Sequence, residues 1–170
     1  ISVQSPFPKE NRRILIGSDV SSRYTRRNRA EYRKIAGYIA RCVWQRQGNY
    51  MVFFPSYRLM EDVLQVYEEE FSVDWVRCVC QTPDMTEQER EGFLEEFQER
   101  EGTLVGFCVL GGIFSEGVDL TGESLIGAVI VGTGLPQIGS QREILKEYYD
   151  KKNHCGFDYA YRYPGMNKVL

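Results

Sequence analysis

The chain has 170 residues, enough for one domain with a sizeable core. Its 42% hydrophobic and 26% charged residues are ordinary for a soluble globular protein. No apolar run approaches the roughly 18 residues a membrane span needs, and residues 1–13 lack the apolar stretch and cleavage site of a signal peptide, so neither a span nor a signal peptide is expected in these residues.

In chain order, Arg13–Ile16 is the first strand candidate. Residues 27–45 predict a helix, because Tyr32, Ile35, Ala36, Ile39 and Val43 fall on one stripe. Gly48 suits the turn behind it. Tyr50–Phe54 is a continuous apolar run, as in a strand covered on both faces. Pro55-Ser56 opens a second helix with the stripe Leu59, Met60, Val63, Leu64, Tyr67. Val76–Cys80 reads as a strand. Thr86 to Glu89 is a capping-box signature opening a helix with Phe93, Leu94 and Phe97. Leu104–Leu110 and Ala128–Val131 read as strands. Ser140 to Glu143 repeats the capping-box pattern and opens a helix to about Tyr149. Strands alternating with helices predict a mainly parallel sheet with helices on both faces. The strand ends should then gather Pro55-Ser56-Tyr57, the 111–119 loop and Gly132-Thr133-Gly134 on one edge.

The net charge of −3 hides a division. Residues 9–46 hold eleven Lys or Arg against three acids, whereas residues 61–101 hold fourteen acids against three arginines. A basic segment can mark a phosphate-binding surface, although a solvated helix face is the plainer reading. Five cysteines (Cys42, Cys78, Cys80, Cys108, Cys155) include no CxxC spacing, and His154 is the lone histidine, in a polar loop. They read as free thiols of a reducing compartment, with no metal site.

No GxxxxGK[ST] loop occurs, no GxSxG elbow occurs, and Gly132 to Gly139 is interrupted by Pro136 and carries no lysine. Three segments are more specific: Gly48-Asn-Tyr-Met-Val-Phe-Phe-Pro-Ser-Tyr57, then Phe107 to Leu120 with its Phe-Ser-Glu-Gly-Val-Asp-Leu end, and Tyr161 to Leu170 with Pro-Gly-Met-Asn-Lys. In order and spacing they resemble motifs IV and V, and the approach to motif VI, of the second motor domain of DinG/XPD-like superfamily-2 DNA helicases. Ser5-Pro-Phe7 resembles the start of that domain.

That resemblance implies a three-layer RecA-like (P-loop NTPase-like) fold, with residues 1–25 leading into an α/β core over 26–170. It also implies site residues. Glu116, Gly117 and Asp119 match motif V, at the ATP cleft between two RecA-like domains; the plainer reading of Asp119 is a turn cap. Ser56, Tyr57, Gly111 and Ser115 match positions beside single-stranded DNA. The Ser56 hydroxyl at a helix N-terminus could hold a phosphate, or simply cap the helix, and Tyr57 could stack on a base.

The first residue is Ile1, and the sequence stops at Leu170, where the resemblance implies that the family's QxxGRxxR helix would begin; both suggest a piece of a longer polypeptide. The expected partner is that polypeptide's first RecA-like domain, with its Walker A lysine. The expected cofactors are ATP and Mg2+, with an iron–sulfur cluster possible only in the first domain. The expected setting is the cytoplasm of a bacterium, with a role in DNA repair. The fragment alone is expected to hold no complete catalytic site, to hydrolyse nothing, and to bind ATP more weakly than about 1 mM. A non-catalytic nucleic-acid-binding module with a helicase-derived fold, or a stand-alone Rossmann-like enzyme, are the rival readings.

Overall fold

The computed structural model describes residues 10, 13–98, 101–114 and 118–169. Helix α1 (Arg29–Val43) leads to strand β1 (Asn49–Phe54), then α2 (Tyr57–Glu70), β2 (Val76–Cys80), α3 (Glu87–Glu96), β3 (Thr103–Val109), β4 (Gly127–Ile130), α4 (Ser140–Asn153) and the short α5 (Tyr163–Met166). The four strands form one parallel sheet in the order β2-β3-β1-β4. Met51 pairs with Gly106 on one side and Ala128 on the other, which fixes the register.

Alternation along the strands sends successive side chains to opposite faces. Tyr50, Val52, Phe54, Val105 and Phe107 meet the buried stripes of α1 (Ile35, Ala36, Ile39, Ala40, Val43) and α2 (Leu59, Met60, Val63, Val66, Tyr67). Met51, Leu104 and Cys108 point the other way, onto Phe93 of α3 and Phe97 at its C-cap. Helices therefore cover both faces, as the apolar run of β1 predicts. Gly106, central in β3, leaves the space that the Phe97 and Phe93 rings occupy: a Cβ there would lie 2.7 Å and 3.1 Å from them.

Helix starts follow local chemistry. The Asn28 side chain accepts from the Glu31 amide, Ser56 from the Leu59 amide, and Thr86 and Glu89 form a complete capping box. Three expectations need correction. Arg13–Ile16 is not a strand: its backbone is irregular and Ile14, Leu15 and Ile16 are exposed. The segment stands across an open cleft from β4, the edge strand of the sheet, and makes no ladder with it. The Ser140 capping box does not form: Gly139 is the N-cap, and the Glu143 carboxylate instead accepts from the Tyr161 hydroxyl. Helix α4 continues to Asn153, which makes His154 a left-handed C-cap (φ 58°) instead of a loop residue.

Beyond β4 the chain folds back on itself. Arg142 donates to the Ala160 carbonyl, and Gly165 packs against Thr133 and Leu135. This brings residues 163–169 to the carboxyl edge of the sheet.

Candidate functional site

Because β1, β3 and β4 are parallel, their carboxyl ends open on the same edge, and backbone bonds carry the register past the strands. The Leu110 amide donates to the Phe54 carbonyl (2.8 Å) and the Val131 amide to the Phe53 carbonyl (2.8 Å). Pro55-Ser56-Tyr57, residues 110–114 and Gly132-Thr133-Gly134 are gathered as the sequence predicts.

Ser56 caps α2, its hydroxyl accepting from the Leu59 amide at 3.4 Å. The first turn of α2 carries no acid, so no carboxylate competes for the positive end of the helix. Tyr57 follows, half-buried, and its hydroxyl donates to the Thr82 carbonyl. Burial raises the Tyr57 phenol above its ordinary value, so at neutral pH it is an uncharged donor and acceptor.

After β3 the chain turns sharply. Gly111 has φ 73°, in the left-handed region, and the Gly112 amide returns to the Val109 carbonyl. Phe114 then plunges back under α3 and stacks on Phe93 with ring centroids 4.3 Å apart, which anchors the start of the loop. Ser115, Glu116 and Gly117 lie outside the described residues. Asp119 is exposed, and no hydrogen bond or ion pair holds it among the described residues, so it caps no turn there.

Two residues at this edge escape a motif reading. Gln81, just past β2, is buried at 2% exposure beneath the site. Its Oε1 accepts from the Val109 amide (3.0 Å) and its Nε2 donates to the Tyr57 hydroxyl (2.8 Å). The only signal in the sequence is a lone amide side chain at the end of an apolar strand. Lys168 reaches the edge from the chain's end, its ammonium 3.6 Å from where a Cβ on Gly111 would stand and its stem beside Gly134. Its signal lies in the Pro-Gly-Met-Asn-Lys run, which carried resemblance but no chemistry.

The basic stretch is less available than its composition suggests. Arg29 bonds Glu69 and Glu70, Arg33 bonds Glu70, Arg26 and Lys34 bond Glu31, and Arg46 bonds Glu123. The acids of α2 thus neutralise much of the basic face of α1. A cleft of about 880 Å³ lies elsewhere: between residues 13–22, α1 and the outer edge of β4.

Metal chemistry has little to work with here. Among the described residues no three His, Cys, Asp or Glu converge on one point. Burial pushes the Cys78 and Cys80 thiols up to about 11 and Cys108 higher still, which keeps them protonated and poor ligands. These residues do not fit an iron–sulfur cluster, and no step is assigned to a metal on this chain.

Comparison with known proteins supplies the family. The profile described as the helicase C-terminal domain matches residues 39–170. A probable ATP-dependent helicase of Methanocaldococcus jannaschii is 28% identical over 153 residues, covering 86% of this chain and 23% of that protein. Among solved structures, an XPD helicase superposes with a TM-score of 0.68 at 23% identity, over 90% of this chain and 26% of that one. An apo XPD structure gives 0.67 at 21% identity, over 89% and 30%. The chain therefore spans about a quarter of the length of the proteins it matches. The archaeal source of the relative lends no support to a bacterial setting. No described helix is long and apolar enough to cross a membrane. With residues 55–57 and 110–114 opening on one edge of a parallel α/β sheet, and the family profile covering residues 39–170, this chain belongs to the helicase C-terminal domain family, whose relatives include a probable ATP-dependent helicase.

Proposed function

We propose that this chain is the second motor domain of an ATP-dependent DNA helicase, similar to the DinG and XPD proteins, and that it couples ATP turnover to movement on single-stranded DNA. The observation that carries the reading is the shared edge: Ser56 and Tyr57 after β1 and the Gly111–Phe114 turn after β3 stand on neighbouring strands. A strand held by the first and a nucleotide contacted by the second would be reported to each other over one strand spacing, about 5 Å.

In this proposal Asp119, exposed and without a partner among the described residues, accepts from a ribose hydroxyl or a cation of the first motor domain. Glu116 and Gly117 share that role by resemblance, and Ser115 and Gly111 border the DNA path. The nucleophilic water, the phosphate cradle and Mg2+ belong to the partner domain; the group supplies electrostatic stabilisation of the transferring phosphoryl. This chain contributes orientation: a helix N-terminus free of acids, a neutral phenol, and glycines that let backbone approach a ligand.

The experiment is ATP hydrolysis by the full-length polypeptide, with and without single-stranded DNA, beside Asp119→Ala. The expected result is DNA-stimulated turnover that the variant loses. Absence of turnover in a folded full-length protein would favour a non-catalytic binding module and remove these roles. The isolated chain is expected to hydrolyse no ATP; micromolar ATP binding to it would overturn that half of the proposal. Its affinity for single-stranded DNA is expected to be weak and to fall steeply with salt, because bound phosphates release counterions.

A further inference from the structure

Gln81 ties together two segments that the chain separates by about fifty residues. The direction of its hydrogen bonds is fixed by chemistry. The Val109 amide can only donate, so Oε1 must face it; Nε2 then faces the Tyr57 oxygen, whose hydroxyl donates its own hydrogen bond to the Thr82 carbonyl. The Gln81 backbone amide continues the ladder to the Phe107 carbonyl (2.8 Å), so the residue is held at both main chain and side chain. Gly112 closes over it: a Cβ there would stand 2.8 Å from Nε2 and 3.3 Å from Oε1. The residue is almost wholly buried, where a polar contact is strong and hard to replace.

We propose that Gln81 is a positioning residue that locks the Tyr57 hydroxyl to the Val109–Gly112 turn, so that a strand held at Tyr57 and the Val109–Phe114 turn shift as one body. Gln81 touches neither ligand. It acts by removing slack: with it, displacement of the Tyr57 ring must move the turn that leads to Phe114. Without it, the ring and the turn are joined only through the sheet. The ligand half of this proposal rests on the reading of Tyr57 as a nucleic-acid contact; the mechanical half does not.

The test uses this chain and resolved amide resonances. Tyr57→Phe, with no ligand present, is expected to shift the Val109 and Gly112 amides in the wild-type background and to leave them still in Gln81→Met. Titration with oligothymidylate is expected to shift Leu59 and Thr82 in every background. The Val109 and Gly112 amides should follow in the wild type and in Gln81→Glu, whose carboxylate can accept from both the Val109 amide and the Tyr57 hydroxyl. In Gln81→Met they should not follow, while the dissociation constant changes less than about twofold, the margin for a group that does not touch the ligand. A merely structural role would alter stability but not separate the two sets of amides.

Tyr57→Phe leaving Val109 and Gly112 unshifted in the wild type would overturn the lock, and needs no Gln81 variant to fold. Equal responses in Gln81→Met would overturn it too. No oligonucleotide response at Leu59 or Thr82, with the Tyr57→Phe shifts present, would instead refute the nucleic-acid reading of Tyr57 and with it the ligand half of the proposal.

Discussion

Gly111 and Gly112 stand side by side in the turn after β3, and the structure predicts that they resist substitution for different reasons. Gly111 has φ 73° with room around it, the nearest side chain being Lys168. A Cβ costs about 1–2 kcal/mol there from the left-handed backbone, less for Asn, which tolerates that conformation. Gly112 has no such backbone demand, but its Cβ would lie 2.8 Å from Gln81 Nε2 and 3.0 Å from the Val109 carbonyl oxygen. Gly112→Ala must displace the Gln81 amide and weaken both of its side-chain bonds. At about 1 kcal/mol net each, and more for a buried group left unpaired, the cost is about 2–3 kcal/mol. For a chain of this size, roughly 2–4 °C per kcal/mol, the melting temperature should fall on the order of 5–10 °C. Thermal and urea unfolding of Gly111→Ala, Gly111→Asn, Gly112→Ala and Gly112→Asn would give the pattern: Asn better than Ala at 111, and no better at 112. In a Gln81→Ala background the Gly112→Ala cost should shrink by more than half, since its closest obstacle is gone. A Gly112→Ala penalty under about 0.5 kcal/mol, within the scatter of ordinary surface changes, or one indifferent to Gln81, would refute the reasoning.

Other perturbations follow from single contacts. The Tyr67 hydroxyl is buried without a hydrogen-bond partner among the described residues, and burial raises its phenol far above the ordinary range. Tyr67→Phe should therefore be neutral or stabilising by about 1 kcal/mol in urea unfolding, and a clear loss would reveal a partner. Ser56→Ala and Thr86→Ala should each cost about 1 kcal/mol by removing a cap, with Asp restoring most of the loss at either site. At Glu31 burial alone would raise the carboxyl, but the Ser21 amide, Arg26 and Lys34 outweigh it and hold it below its ordinary value. Its contribution is then complete above the unfolded carboxylate value and is lost as pH falls through the folded one. Melting temperatures between neutral and acid pH should show a shallower acid-side decline in Glu31→Gln than in the wild type; parallel curves would contradict this.

Much of the architecture is determined locally. The runs around Val52 and Val105 are apolar because both faces of a central parallel strand are covered, and the stripes of α1 and α2 repeat at helical spacing because each has one buried side. Parallel strands have their carboxyl ends on one edge by necessity, so the gathering of Ser56, Tyr57, Gly111 and Gly134 follows from strand assignment alone. Where local signals misled, a tertiary partner had taken the group involved. Glu143 answers Tyr161 instead of capping α4, and Ile14, Leu15 and Ile16 have strand composition but stand exposed across a cleft from the edge strand β4. The basic face of α1 meets the acids of α2, two segments whose opposite charges are plain in the sequence but whose proximity is not. Gln81 and Lys168 show the same limit within the candidate site. A lone amide and a lone ammonium carry no periodicity and no spacing, so nothing local marks them; only the folding of β2 beside β3, and of the chain's end over Gly111 and Gly134, brings them to the edge where they can act. Backbone preference and hydrophobic pattern are written residue by residue, whereas pairing between distant polar groups exists only once the sheet order is set.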